Sequence, residues 1–396
     1  MTSVKRGIME EMLELILYSV FILLTLVSVF FAWKLMFAFK NFKMKKLLSA
    51  PSMLNDLPSV SVCIPARNET HAMTQCLERV IASRYPKLEI IVLDDSSGDN
   101  TSTLIKAFAH AGVRFVEGSP LPDGWLGKNH ALQALLDEAS GSYLLYLDVD
   151  TQIMPDTIGQ LVAYAQQEKV SMVSVLPRRQ DGWRGSVLFG TLRYFWELIL
   201  HRPSAPAVAS SAWMIHRHTL RDALGGFEPY QRDIQPEAKL AAALMARHSY
   251  RFIISTPLLG ISYEKKWSSQ VETSIRLLFP VLGGRFVSNF LALVGLLLLN
   301  LPALVLVAGL FSDWTILQTM ALWQLCVYGS LYSLYLDKVR QEGWWLGVIL
   351  WPLIIAQEFV ILVISINRHL RHKVMWKGRP ITVLKQHLSP IIAAKE

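Results

Sequence analysis

Residues 141–150 read GSYLLYLDVD, an apolar run that ends on two carboxylates, Asp148 and Asp150. With one residue between them, the two side chains point to the same face of an extended chain. If the strand stops there, both project past the sheet edge, where open α/β proteins bind their ligands. A hard divalent cation takes oxygen ligands and keeps open positions for phosphate. The pair is therefore a candidate site for Mg2+ or Mn2+. An Asp-x-Asp by itself is common on protein surfaces; the sequence upstream gives this one its weight.

Residues 59–69 (SVSVCIPARNE) read as a buried strand over 60–64 followed by a polar turn. Residues 88–101 (LEIIVLDDSSGDNT) read as a second strand over 88–93 that releases Asp94, Asp95 and Asp99. Between them, THAMTQCLERVIASRYP has helical spacing and stops at Pro86. Asn100 or Thr101 can cap a helix running through Ile105 and Phe108, and VRFVEG at 113–118 reads as a third strand. Strands alternating with helices predict a parallel sheet with right-handed crossovers. Polar clusters at successive strand ends then converge on one site.

In this order and at these separations, five runs carry a resemblance: Pro65-Ala66-Arg67-Asn68-Glu69, Asp94-Asp95-Ser96-Ser97-Gly98-Asp99, Gly127-Lys128-Asn129, Asp148-Val149-Asp150 and Gly225-Gly226-Phe227. With them, residues 59–243 resemble the family 2 inverting glycosyltransferases of GT-A fold. Within that family, Gly124-Trp125-Leu126-Gly127-Lys128 and Trp376-Lys377-Gly378-Arg379 are similar to the membrane enzymes that glycosylate carotenoid acids such as diaponeurosporenoate. The hopanoid-associated members share the Gly-Trp-x-Gly-Lys run. The resemblance implies an α/β, Rossmann-like domain for a nucleotide-sugar donor, a UDP-sugar, and a role in carotenoid biosynthesis. It implies that Asp150 and Asp148 hold the metal on the donor diphosphate. Pro65, Arg67, Asn68, Glu69, Asp94, Asp95 and Asp99 would surround uracil and ribose; which of Asp94 and Asp95 faces the pocket stays open. Lys128 would meet the nucleotide or diphosphate, its plainer reading being a solvated lysine at a helix start.

The family carries Glu-Asp on a helix after Gly-Gly-Phe. Here the run is GGFEPYQRDIQPEAKLAAAL. Aligned on Leu240, Pro236 replaces the Glu and Glu237 the Asp. Glu237 is the expected base, since Pro at the first helical position puts it in the first turn, where the helix dipole favours an ionised carboxylate. Asp233 is the second candidate, and otherwise a cap. An acceptor that is already a carboxylate hardly needs a base. The Gln-x-x-Arg-Trp run of processive synthases is absent: Tyr263 is followed by Glu264, Lys265, Lys266 and Trp267, then Gln270 and Arg276. A single transfer is expected. The alternatives are a polymer-extruding synthase and an inactive GT-A scaffold, which the unusual Gln235-Pro236-Glu237 run permits.

At 52% hydrophobic residues and a mean hydropathy of +0.33, the chain is too apolar for an ordinary soluble protein. Uncharged stretches at 15–33, 286–312 and 314–336 can each cross a hydrocarbon core roughly 30 Å thick. Residues 344–366 are similar but contain Pro352, Gln357 and Glu358. No A-x-A-like cleavage site follows the first stretch, and acidic residues crowd its front, which predicts a retained anchor. The chain divides into an anchor and basic flank (1–46), a GT-A domain (47–270), an interfacial segment (271–285), C-terminal transmembrane helices (286–367) and a basic tail (368–396).

The net charge of +8 gathers beside the spans. Lys40, Lys43, Lys45 and Lys46 follow the first one, placing the next domain in the cytoplasm of a multi-pass cell-membrane protein. Charge so placed fits anionic lipid headgroups, not nucleic acid. Cys63, Cys76 and Cys326 have neither disulfide nor zinc spacing and read as packing residues. Four full spans would put the C-terminus outside, yet Arg368, Arg371, Lys373, Lys377, Arg379 and Lys385 argue for inside. One segment should therefore be re-entrant, and the one with Pro352 and Glu358 is the candidate. Residues 185–200 and 271–282 fit interfacial helices or core helices. At the interface, they would open the site to a terpenoid or other membrane-lipid acceptor.

Overall fold

The computed structural model describes residues 2–44, 57–180, 183–312, 314–339, 342–377 and 379–380. The chain opens with α1 (Thr2–Asn41), β1 (Val60–Ala66), α2 (Met73–Ile81), β2 (Leu88–Asp94), α3 (Thr101–Ala107), β3 (Val113–Glu117), α4 (Gly127–Glu138) and β4 (Tyr143–Leu147). It continues with β5 (Thr151–Gln152), α5 (Thr157–Gln167), β6 (Met172–Leu176), β7 (Arg178–Arg179), α6 (Gly185–Leu188) and α7 (Arg193–Ile199). Next come β8 (Ala212–His216), α8 (Pro236–Met245), β9 (Tyr250–Ile254) and β10 (Ser262–Tyr263). Last are α9 (Trp267–Val281), α10 (Phe286–Gly309), α11 (Thr315–Val339), α12 (Gly347–Leu370), β11 (Met375–Trp376) and β12 (Arg379–Pro380).

A sheet in the order β3-β2-β1-β4-β8-β6-β9 forms the middle of the domain. β1 pairs in parallel with both β2 and β4, while β8 runs antiparallel between β4 and β6. The inner strands are buried on both faces, which is why they read as continuous apolar runs. Ala66 lies opposite Asp94 in the β1–β2 register, so the loops after β1, β2 and β4 emerge side by side. A second small sheet, β5-β10-β7, brings the residues after Tyr263 to the same end. One expectation is corrected here. β4 stops at Leu147, and Asp148 and Asp150 occupy the turn beyond it, closed by the Thr151 amide on the Asp148 carbonyl at 2.9 Å. The turn, not strand alternation, brings the two carboxylates together.

Among the described residues, three helices are long and apolar enough to cross a membrane: Glu11–Asn41, Phe286–Gly309 and Trp344–Leu370. Along α1 the buried residues Phe21, Leu24, Ser28, Phe31, Leu35 and Ala38 recur at helical spacing, while Leu23, Leu26, Phe30 and Trp33 are exposed. One face packs on protein, and the other presents apolar surface. α11, expected to span over 314–336, is as long but is interrupted by Gln318, Gln324, Ser333 and Asp337. Its Gln324 amide donates to Ser28 on α1 at 2.5 Å. Cys326 on α11 is exposed, not packed.

α12 is a continuous helix and not the re-entrant loop expected, because Pro352 lies near its start and removes a single intrahelical donor. It nonetheless packs along the sheet domain and α9. Just before it, the Trp345 ring meets that of Trp183 at 6.5 Å. Gln357 donates to the Phe189 carbonyl at 3.1 Å, and Glu358 accepts the Leu192 amide at 2.8 Å. Ser365 binds the Ile275 carbonyl and the Phe279 amide of α9. Lys377 and Arg379, in the described part of the tail, thus return to the sheet domain.

The two stretches read as interfacial are packed elements. Phe195 on α7 is enclosed by Phe31, Tyr332, Tyr335 and Trp351, with ring centroids 5.4–6.3 Å apart. Leu277 and Phe279 on α9 are buried, and Phe279 stacks on His369 of α12. Lys45, Lys46 and Lys385 lie outside the described residues.

Glu358 is 1% exposed, and it is the acceptor for a buried amide. Glu358→Ala should lower stability by about 1–3 kcal/mol, the desolvation cost of an orphaned amide. Glu358→Gln, which keeps an acceptor oxygen, should lose less. Thermal unfolding in detergent reads both; equal midpoints for Ala and wild type would disprove this coupling.

Candidate active site

The loop after β1 turns at Asn68, whose φ of 52° suits the left-handed tolerance of asparagine. Its amide N–H donates to Ser97 Oγ and its Oδ1 accepts the Gly98 amide, both at 2.9 Å, which joins this loop to the one after β2. In the second loop the adjacent aspartates diverge. Asp94 accepts from the Ser97 and Ser102 hydroxyls and braces the turn. Asp95 faces the cavity. Asp99 accepts from Thr70 Oγ1 at 2.6 Å and from the Thr101 amide at 3.0 Å. Burial works against its ionisation, but these hydrogen bonds hold its carboxyl down at about 2. Asp94 and Asp99, both expected at the nucleotide, accept from donors within these loops and are not among the residues lining the cavity described next.

One cavity of about 800 Å³ collects the remaining expected donor and metal residues: Pro65, Arg67, Glu69, Asp95, Lys128, Asp148 and Asp150. Lys128 is not a solvated lysine; its Nζ donates to Asp148 Oδ1 at 2.8 Å. Lys265 approaches Asp150 Oδ2 at 3.5 Å. Burial would raise the Asp148 carboxyl, yet Lys128, with Lys265 and Arg193 behind it, holds it below its ordinary value. Burial raises Glu69, with Lys377 opposing. Asp95 is raised by burial and opposed by Arg379, whose Nη1 lies 2.9 and 2.8 Å from its two oxygens.

The donor set of Asp148 and Asp150 fits a divalent cation in an open site. Among the described residues there is no group of three or more His, Cys, Asp or Glu that could hold one, so a closed protein cage is not available. Two carboxylates facing a large polar cavity leave positions for phosphate oxygens and water, the arrangement Mg2+ favours.

Glu237 sits in the first turn of α8 behind Pro236, where the sequence places it. It is 2% exposed and is not among the residues lining the 800 Å³ cavity. Burial pushes its carboxyl up, against Lys128 and Arg193. The expected dipole-stabilised ionisation is therefore outweighed. Asp233 also lies off the cavity: its carbonyl accepts from Asn129 Nδ2 at 2.7 Å, and its burial, opposed by Lys239, raises its carboxyl. No side-chain hydrogen bond caps α8, so the capping role expected for Asp233 is not seen.

Sequence reasoning missed the cationic floor beside the two aspartates. A small pocket of about 40 Å³ there is lined by Arg179, Arg193, Tyr263 and Lys265. Arg193 donates to Ser210 Oγ at 3.1 Å and lies near Glu197, which burial pushes up to about 7. The four-residue spacing of Arg193 and Glu197 is visible in the sequence, but inside an apolar run it suggested only a helix face.

Residues 61–220 match the model of Glycosyl transferase family 2. An undecaprenyl-phosphate 4-deoxy-4-formamido-L-arabinose transferase of Proteus mirabilis (strain HI4320) is 32% identical over 135 residues, 33% of this chain and 41% of that protein. A probable glycosyltransferase of Bacillus subtilis (strain 168), YdaM, is 36% identical over 101 residues, 24% of each chain. The chain thus spans well under half the length of these relatives. A solved structure, mannosyltransferase PcManGT from Pyrobaculum calidifontis in complex with GDP-Man and Mn2+, superposes with a TM-score of 0.55 at 20% identity over 89% of this chain and 99% of that one. Residues 61–220 are thus similar to family 2 glycosyltransferases, and the fold is GT-A, a mixed α/β sheet flanked by apolar helices at both ends.

Scaffold and site residues should separate by stability. Asp94→Ala should cost about 1–2 kcal/mol, because two hydroxyls lose their shared acceptor. Asp150→Asn should stay within about 0.5 kcal/mol of wild type, as a part-exposed ion pair contributes little. Denaturant unfolding monitored by tryptophan fluorescence measures both; a reversed order would mean that Asp94, not Asp150, belongs to the functional surface.

Proposed function

We propose that the protein is a membrane-bound enzyme that moves one sugar from a UDP-sugar to a membrane-dissolved lipid, with inversion at the anomeric carbon. One observation carries this reading: Arg67, Glu69, Asp95, Lys128, Asp148 and Asp150, from loops at three neighbouring strand ends and a helix start, line a single cavity of about 800 Å³. That volume lies within the roughly 300–1,000 Å³ of small-molecule sites.

Asp95 accepts a hydrogen bond from the nucleobase, and Arg67 and Glu69 close the loop beside it. Lys128 faces the diphosphate. Asp148 and Asp150 would hold Mg2+ or Mn2+, which when bound supplies positive charge for the leaving nucleoside diphosphate. The acceptor approaches from the side of Arg193 and Lys265. Those cations favour an anionic head, a phosphate or a carboxylate. The names of the undecaprenyl-phosphate relatives support the first, and the Gly124–Lys128 and Trp376–Arg379 resemblances support the second, a carotenoid or other terpenoid acid. Glu237 is the group that would take a proton from a hydroxyl acceptor; an oxyanion has none to give. Three apolar helices keep the site beside a bilayer, and Lys40 and Lys43 at the catalytic end of α1 favour a cytoplasmic domain of a multi-pass membrane protein.

The test is transfer by detergent-solubilised protein from UDP-glucose with Mn2+ to undecaprenyl phosphate, to a carotenoid acid and to a lipid alcohol. Glucosylated lipid is expected for an anionic acceptor. Asp150→Asn should abolish it, because an amide is a poor ligand for a hard cation. Transfer to no lipid at all, or undiminished turnover of Asp150→Asn at limiting Mn2+, would reject the proposal.

A second experiment addresses the base. Glu237→Gln should lower turnover on a lipid alcohol by roughly 10²–10⁴ while leaving an oxyanion acceptor little affected. Because burial raises the Glu237 carboxyl, wild-type transfer to the alcohol should fall on acidification at a pH above the ordinary carboxylate range. That limb should vanish in the variant. Its persistence would assign the proton to another group, Asp233 being the next to substitute.

A further inference from the structure

The end of the chain comes back to the donor cavity. Shortly after α12 the hairpin β11–β12 pairs Met375 with Pro380 and Trp376 with Arg379. Lys377, just after β11, has a φ of 44°, although it is neither glycine nor asparagine. Its contacts hold it there. Its Nζ donates to the Arg67 carbonyl at 2.6 Å and pairs with Glu69, and its own carbonyl accepts Arg67 Nε at 3.2 Å. Arg379 donates to both oxygens of Asp95, a side chain only 5% exposed. These partners lie 308 and 284 residues away in sequence, and both belong to the donor loops.

The hairpin borders the cavity and does not fill it. Met375 and Lys377 are wall residues, and about 800 Å³ remains open beside them. Asp95 also needs what the hairpin gives it. A nucleobase N–H requires an ionised, oriented acceptor, while the enclosure of Asp95 favours its neutral form. The charged or titratable groups facing it are Arg379, Arg67 and His130. Of these, Arg379 alone engages both carboxylate oxygens.

We propose that the β11–β12 hairpin is a strap that completes the donor site, with Arg379 as a positioning residue that holds Asp95 ready for the nucleobase and Lys377 as a donor-facing wall. The proposal rests on the nucleotide-sugar reading above. It makes donor affinity depend on a segment delivered by the docking of α12 on α9, far outside residues 61–220.

The experiment is calorimetric titration of the full-length, detergent-solubilised protein with UDP in the presence of Mn2+, alongside donor kinetics and thermal unfolding. Arg379→Ala should weaken UDP binding about 10–100-fold, the loss of a charge-assisted hydrogen bond. Arg379→Lys should recover part of it. The KM for the donor should rise while kcat at saturating donor stays nearly unchanged, and the unfolding midpoint of the unliganded protein should hold. Lys377→Ala should weaken UDP in the same direction. Wild-type affinity in Arg379→Ala would overturn the proposal, and tighter binding would make the hairpin a plug instead. A loss matched by a fall in unfolding midpoint, without rescue by lysine, would also overturn it, as a purely structural effect. Failure of the wild-type protein to bind UDP would remove the donor reading and the strap with it.

Discussion

Four carboxylates, Glu69, Asp95, Asp148 and Asp150, converge where three neighbouring strands end, and the structure must keep that charge tolerable. Each is faced by a cation from somewhere else: Lys377, Arg379, Lys128 and Lys265. At a separation near 4 Å two like charges repel by about 4 kcal/mol at an effective dielectric of 20. Unpaired, such a cluster would protonate or spread. Pairing opposes this, and at Asp148 it prevails over burial, holding the carboxyl below its ordinary value. The cations come from α4, from the segment after β10 and from the C-terminal hairpin. The charge balance of the site therefore constrains the path of the whole chain.

That constraint explains the arrangement of the apolar helices. The hairpin reaches Asp95 from α12, which is fixed on α9 by Ser365 at the Ile275 carbonyl and at the start of α7 by Glu358 on the Leu192 amide. α7 fills the layer between, its Phe195 enclosed by rings from α1, α11 and α12. The catalytic domain and the helices share one apolar cluster that runs from Phe31 through Trp213 to Trp351. The helices are built into the domain and are not tethers to it. A change at that layer has a physical route to the donor loops through α12 and the hairpin.

Much of the first half of the domain was legible in the sequence. β1, β2 and β4 are short apolar runs buried on both faces, and each releases polar residues at its end. The order of β8, β6 and β9 was not legible, because an antiparallel strand inserted between distant partners leaves no local pattern. The choice between Asp94 and Asp95 was undecidable for a related reason. Ser97 and Ser102 satisfy Asp94 from within its own loop, whereas the partner of Asp95 sits on the last hairpin. The Trp376-Lys377-Gly378-Arg379 run was noticed as a resemblance, yet nothing local in it says where it docks. Arg193 was visible beside Glu197, but only the folded chain shows that Arg193 lines a small pocket with Asp148.

Glu237 marks the limit of reasoning from a helix start alone. A carboxylate in the first turn gains about 0.3–1 kcal/mol from the helix dipole when exposed. Burial of a charged carboxylate opposes this with several kcal/mol even after relaxation. At 2% exposure the second term decides, and the carboxyl rises. The place in the first turn is set locally by Pro236, and the proton affinity by what closes over the carboxyl. Lys128 and Arg193 return part of the loss, and they face Asp148 as well. The proton affinity of Glu237 is thus tied to the occupancy of the aspartate pair. Anything that draws Lys128 away from Glu237 raises the carboxyl further, and added positive charge at Asp148 lowers it.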